Sequence, residues 1–575
     1  MAVACSIPTH ERGIVVSRHD SSVRRMPAIV VLLLGFAALV AAGFVVDRRG
    51  ADEVAELAAA GPTPAGLAPA APDASATGST WYCAGGTADD GGVADHEIVI
   101  ANTGDADLTA NVTVFAGAQA DDAEGRAAVA GIQPESRSID VAARSRVELR
   151  LGDVLEAPYA SALVEVEGGE VVVEEVVRSE HEFDTAPCQT SPAATWHVAA
   201  GNTLLGAQEL LVLFNPFADD AVVDIRFATP DGIRTPTEFS GFVVPGRHTV
   251  AIDVGLVVSR HPQVSATVTA RSGRLVVDKI QRFTGDEAGL GITPGAPAPA
   301  ELWYFPEGYT AEGISELVTV YNPTDAEAAV DVELVLPPSD DPAVVTAVEP
   351  FELTVPAGGY IQLDLGAEDR VPKDVGNAIV VRAQNGVPVV AERWERAGAG
   401  SVRPGFAATL GSPVVSTRWL TAAGATPSNL SQAEFILVIN PSTATIATVT
   451  ITVPTSSQQL VPDGLADIEV PPGGRVSIEI GAHVNRDDLP LVITANHPVV
   501  IERGLYRFSE GFGQSMAIAV GAEASIPDVD TSAGQPAPVI TASTLPPETT
   551  LAPPPPPTES TTTVPAEETT STSTG

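Results

Sequence analysis

The sequence predicts an all-β chain. It reads as tandem immunoglobulin-like β-sandwich repeats behind a single N-terminal transmembrane helix, with a disordered Pro/Thr/Ser-rich C-terminal tail. Three observations predict it. Runs of Val, Ile and Thr are punctuated by Pro and Gly at short intervals, without a convincing amphipathic helical period. Four of the five tryptophans recur about 110 residues apart, each opening a similar segment. One long apolar run without charge stands near the N-terminus.

That run is AIVVLLLGFAALVAAGFVV, residues 28–46. It is close to the ~20 residues needed to cross hydrocarbon. Arg12, Arg18, Arg24 and Arg25 precede it, and Asp52, Glu53 and Glu56 follow soon after it. The positive-inside rule then makes 1–26 cytoplasmic, 27–46 a transmembrane helix and the bulk extracytoplasmic, a single-pass protein of the cell membrane. A cleaved signal peptide is the rival reading, but its apolar core spans roughly 7–15 residues, shorter than this run. Residues 47–79, rich in Ala, Pro and Gly, read as a spacer.

Four repeats follow, at 80–190, 191–295, 296–408 and 409–525. Trp81, Trp196, Trp303 and Trp419 open them as WYCAGG, WHVAAG, WYFPEG and WLTAAG. An apolar strand ending in Asn comes next. Glu209, Glu316 and Glu434 stand six residues before Asn215, Asn322 and Asn440, and a proline follows each Asn. Repeat 1 departs from this: Glu97 is five before Asn102, and Thr103 replaces the proline. An Asn-Pro step ends ladder pairing and starts a turn. A Pro/Gly turn then leads into an alternating strand, and GEVVVEEVV, GRLVVDKIQ, GVPVVAERW and NHPVVIERG close the repeats. Roughly seven short strands in about 100 residues match an immunoglobulin-like sandwich, and a string of them would make a stalk. The tryptophans are expected in the core or at a seam. The acids of the closing strands, beside Arg393 and Arg503, are expected to be solvated pairs at a sheet edge. Residues 526–575 lack the apolar residues for a core and read as a disordered tail.

Cys5 precedes the apolar run, whereas Cys83 and Cys188 lie after it within the first repeat. Two cysteines in an exported module read as one disulfide, and no Cys/His spacing indicates zinc. The histidines form no HExxH pattern, and no phosphate-cradling glycine motif sits between strand and helix. The string GFGQSMA around Ser515 falls short of a serine-hydrolase elbow. No catalytic, cofactor-binding or metal-ligating set emerges, so the chain reads as no enzyme and as needing no cofactor. A net charge of −42 repels phosphate backbones and argues against nucleic acid as a partner.

The N-terminal anchor, the WYC…G opening, the E-x5-N-P strand and the VV-x-E-R closing strand together resemble a family of uncharacterised actinobacterial envelope proteins known only as a domain of unknown function. The resemblance covers about residues 25–522 and implies a fold without an activity. The functional expectation is a non-enzymatic cell-envelope scaffold or binding stalk whose partners are cell-wall polysaccharide or envelope proteins. An accessory subunit of envelope polysaccharide or cell-wall assembly is the alternative, and a hydrolase with a site between modules stands third.

Overall fold

The structure, a computed structural model, describes residues 63–89, 91–339, 344–429, 431–507 and 513–527. The expected cytoplasmic segment at 1–26, the expected transmembrane helix at 27–46 and the expected tail from 528 lie outside the described residues. Among the described residues no helix is long and apolar enough to cross a membrane.

The body is all-β, with one α-helix of seven residues, Ala123–Val129, among the described residues. Its start follows from capping: Asp122 accepts a hydrogen bond from the Gly125 N–H. Each module is built on two groups of four antiparallel strands, and those of modules 1 and 2 merge into one eight-stranded sheet where residues 117–119 pair in parallel with residues 249–251. In module 1 the outer sheet holds the tryptophan strand Ser79–Cys83, then Tyr159–Val166, Leu108–Gln119 and Glu135–Val141. The inner sheet holds Ser145–Arg150, the asparagine strand Asp95–Asn102, the closing strand Val171–Arg178 and a last strand Phe183–Pro187. Numbered along the module, the sheets read 1-6-3-4 and 5-2-7-8. An immunoglobulin domain pairs its strands 1-2-5-4 and 3-6-7, so the two-sheet architecture comes with a different connectivity. The turn strand crosses to the inner sheet to pair with the asparagine strand, and alternation along a strand does not report its partner.

The four modules form one compact unit, not a string. The last strands, Phe183–Pro187, Gly289–Pro294, Gly405–Leu410 and Gly513–Ile518, line its axis, each packed on the next and the fourth on the first. Four contacts close this circle. The Ile292 N–H donates to Asp184 Oδ2 at 2.8 Å. Gly291 approaches Phe406 so closely that a Cβ would lie 2.6 Å from the ring. The Thr409 hydroxyl donates to the Met516 carbonyl. The Thr185 and Ser515 hydroxyls meet at 2.9 Å.

Part of the predicted spacer belongs to this body. Leu67 is buried among Ile292, Leu410, Val414, Trp419 and Met516 at one end of the axis. Ala70 and Ala71 pair in parallel with Gly521 and Ala522, so the start of the described chain meets its end.

Candidate functional site

The repeat residues occupy equivalent places. Trp81, Trp196, Trp303 and Trp419 are at most 1% exposed, so none offers a face to a sugar. The indole N–H of Trp196, Trp303 and Trp419 donates to the carbonyls of Leu275, Val389 and Val499. Asn215, Asn322 and Asn440 act as clasps. Each amide nitrogen donates to two backbone carbonyls, and each Oδ1 accepts from the N–H two residues on. Asn102 makes the same bonds in module 1. Cys83 and Cys188 are disulfide-bonded. Ser515 lies buried on an axial strand, hydrogen-bonded to Thr185, and not at a strand-to-helix elbow.

The closing-strand charges are not solvated edge pairs. Glu174, Asp278, Glu392 and Glu502, and the next residues Glu175, Lys279, Arg393 and Arg503, are all at most 1% exposed. Consecutive residues point to opposite faces of a strand, so both are buried only where the sheet is covered on both sides. The ring does this: at these pairs one face of the closing strand meets the preceding module and the other meets the next. The signal was present in GEVVVEEVV, whose unbroken apolar run marks a strand covered on both faces.

The second residue of each pair reaches the first residue of the next module's pair. Lys279 pairs with Glu392. Arg393 donates to Glu502 at 2.8 Å. Arg503 donates to Glu174 at 2.7 Å and so closes the ring. Between modules 1 and 2 the facing partners are both carboxyls, Glu175 and Asp278. The tryptophan motifs grip the same acids. Backbone N–H groups of Ala84, Ala200, Glu307 and Ala423 donate to Asp278, Glu392, Glu502 and Glu174 at 2.7–3.1 Å.

A third position completes each junction. Glu209, Glu316 and Glu434 are fully buried beside Lys279, Arg393 and Arg503. The last glycine of each tryptophan motif makes room for them. A Cβ on Gly201 would lie 2.2 Å from the Glu209 carboxyl, and on Gly308 and Gly424 it would lie 2.3 and 2.6 Å from those of Glu316 and Glu434. In module 1 the counterpart is His96, six residues before Asn102 and packed on Gly86, and not Glu97. His96 Nε2 lies 3.1 Å from Glu175 Oε2, and Nδ1 lies 2.9 Å from the Ala160 carbonyl oxygen. Glu97 instead meets Arg178 at the margin of the module.

At each of the last three junctions the central cation pairs with the closing-strand acid, and the third-position glutamate stands beside it. Burial pushes Glu209 up to about 8 and Glu316 and Glu434 up to about 7, against the pull of the neighbouring cation. At the first junction burial pushes Glu175 up to about 8, raises Asp278, and lowers His96. That junction therefore sets two raised carboxyls and a histidine where the others set a cation. Between modules 3 and 4 the cluster is largest. Glu307 accepts from Arg403 at 2.6 Å and from the Tyr506 hydroxyl at 2.6 Å, and Arg475 lies 3.4 Å away. Burial would raise Glu307, but Arg403 and Arg475 hold it below the ordinary carboxylate range.

His96, Glu175 and Asp278 are the types that acid–base chemistry uses, yet all three are sealed, at most 1% exposed. Among the described residues no group of three or more His, Cys, Asp or Glu side chains is placed to hold a metal ion.

The model of a family of unknown function, DUF5719, matches residues 183–301, from the axial strand of module 1 through module 2. No curated protein matches the chain. Among solved structures, a Thermotoga maritima protein titled 1070 is 23% identical, covering 20% of this chain and 93% of its own, with a TM-score of 0.17. The Anabaena sensory rhodopsin transducer is 26% identical, covering 17% of this chain and 83% of its own, with a TM-score of 0.14.

Proposed function

We propose that this chain is a non-enzymatic, membrane-anchored protein of the actinobacterial cell envelope whose ring of modules serves as an extracytoplasmic scaffold or binding body. The observation that carries the reading is the use made of buried charge. The closing-strand ionisable side chains sit at every junction, and they engage the neighbouring module. Buried ion pairs of this kind fix one arrangement of parts more than they add stability. A closed ring also replaces the stalk as the form of the exported part: a rigid head on a spacer. The apolar run at 28–46, with arginines before it and acids after it, supports the anchor.

The partners are cell-wall polysaccharide or other envelope proteins. The test is retention of the purified chain on native wall polysaccharide and on solubilised membrane proteins. Retention on polysaccharide identifies a wall-binding head. Retention of one membrane protein alone identifies an accessory subunit of envelope assembly. Retention on neither removes the proposal.

A further inference from the structure

The four junctions are built from equivalent positions, but they are not filled alike. Between modules 1 and 2, Val177, Val212, Ile280 and Leu290 close the space. Between modules 2 and 3, Phe283, Trp394 and Phe406 do so, with ring centroids 4.9–5.9 Å apart. Between modules 3 and 4, Phe435, Tyr506 and Met516 do so. Between modules 4 and 1 the counterpart of Trp394 is Val176 and that of Tyr506 is Arg178. There a cavity of about 240 Å³ stays open. That is more than one or two ordered waters fill, and it approaches the lower end of small-molecule sites, ~300 Å³.

The wall of this cavity is built and charge-balanced. The Arg146 side chain is 8% exposed. Its guanidinium donates to the Ala422 and Gly424 carbonyls at 2.9 and 2.8 Å and to Glu148 at 2.5 Å. Arg178 donates to Glu97 at 2.9 Å. Arg507 lies over the Phe183 ring, 4.2 Å from its centroid. Val176 and Leu505 supply apolar surface, and Gln432 and Asp487 supply further polar groups. An anion would have to displace the carboxylates already on Arg146 and Arg178. A hydroxyl accepts from a guanidinium and donates to a carboxylate at once, without disturbing the balance.

We infer that the cavity between modules 4 and 1 is a binding site for a neutral, hydroxyl-rich ligand, a single sugar residue free or at the end of a glycan. The inference deepens the envelope-polymer reading and rests on it for the choice of a sugar over other polyols. Isothermal titration of the full chain, in a detergent without a sugar headgroup, would use glucose, galactose and N-acetylglucosamine as probes and inorganic phosphate as the anion arm. At least one sugar binds wild type. Val176→Trp, which copies the filling at Trp394, lowers that affinity at least tenfold and leaves the melting temperature unchanged or higher. Glu148→Gln, whose side chain is 45% exposed at the wall, lowers it several-fold whether or not the tryptophan variant folds. Binding of phosphate alone, binding of no sugar, or unchanged affinity in Glu148→Gln overturns the inference. Wall polymer retained by Val176→Trp removes the cavity and leaves the envelope reading standing.

Discussion

The junction between modules 1 and 2 and the junction between modules 3 and 4 use the same strand positions and bury charge in opposite ways. The first has no permanent cation at its centre. Glu175 and Asp278 face each other beside His96, and burial raises both carboxyls. The second brings in Arg393, Arg403 and Arg475 around Glu502 and Glu307. The contrast teaches that the ring needs a satisfied acceptor at each closing strand, not a particular charge. Either a neighbouring cation or a retained proton meets that need.

The largest expected effect breaks the cationic side of this contrast. Arg393→Met leaves Glu502 and Glu316 buried without their cation and destabilises the ring by about 3–5 kcal/mol in urea unfolding. Glu175→Gln at the first junction keeps a neutral hydrogen-bonding group and costs less than about 1 kcal/mol at pH 7. Equal losses in the two variants would end the distinction.

Next in size is the close approach of motif to acid. Gly201→Ala sets a methyl against the Glu209 carboxyl and costs about 1–3 kcal/mol. Adding Glu209→Ala, which removes the clashing carboxyl, recovers most of that loss in the same unfolding measurement.

The pH response sharpens the contrast further. Glu175 and Glu209 stand above the ordinary carboxylate value, so the folded ring holds protons that the unfolded chain releases. Their contribution is full below about pH 4.5 and is lost as pH rises to about 8. Glu307, held below the ordinary range, runs the other way: its contribution is present above that range and lost as pH falls through its folded value. Melting curves from pH 4 to pH 9 should show Glu175→Gln flattening the alkaline limb and Glu307→Gln flattening the acid one.

The smallest effect lies in the turn that precedes each turn strand. Its left-handed position is Gly358 and Gly473 in modules 3 and 4 but Arg144 and Arg247 in modules 1 and 2. Arg247→Gly relieves that conformation and raises stability by about 1 kcal/mol or less, read from the melting temperature.

Much of a module was legible in the sequence, and little of the ring was. The tryptophan and asparagine registers place the core and the clasp, because a short-range motif fixes each. The all-β class followed from β-branched runs and turn residues. Glu97 matches the other repeats by residue type, while His96 matches them by its distance to Asn102, and distance decides the position. Glu209, Glu316 and Glu434 were legible as positions, but not as buried acids. Their burial depends on a neighbouring module more than 100 residues away, as in Lys279 with Glu392. The connectivity and the closure between modules 4 and 1 leave no local trace in the chain.

Closure is the central claim, and a double-mutant cycle on Glu174 and Arg503 tests it most directly. These residues lie 329 positions apart and meet only if module 4 returns to module 1. Glu174→Gln, Arg503→Met and the pair should show a coupling energy of about 1.5 kcal/mol or more, as buried charge pairs do. Losses that add to within about 0.5 kcal/mol would mean that the two residues do not touch and that the ring is open.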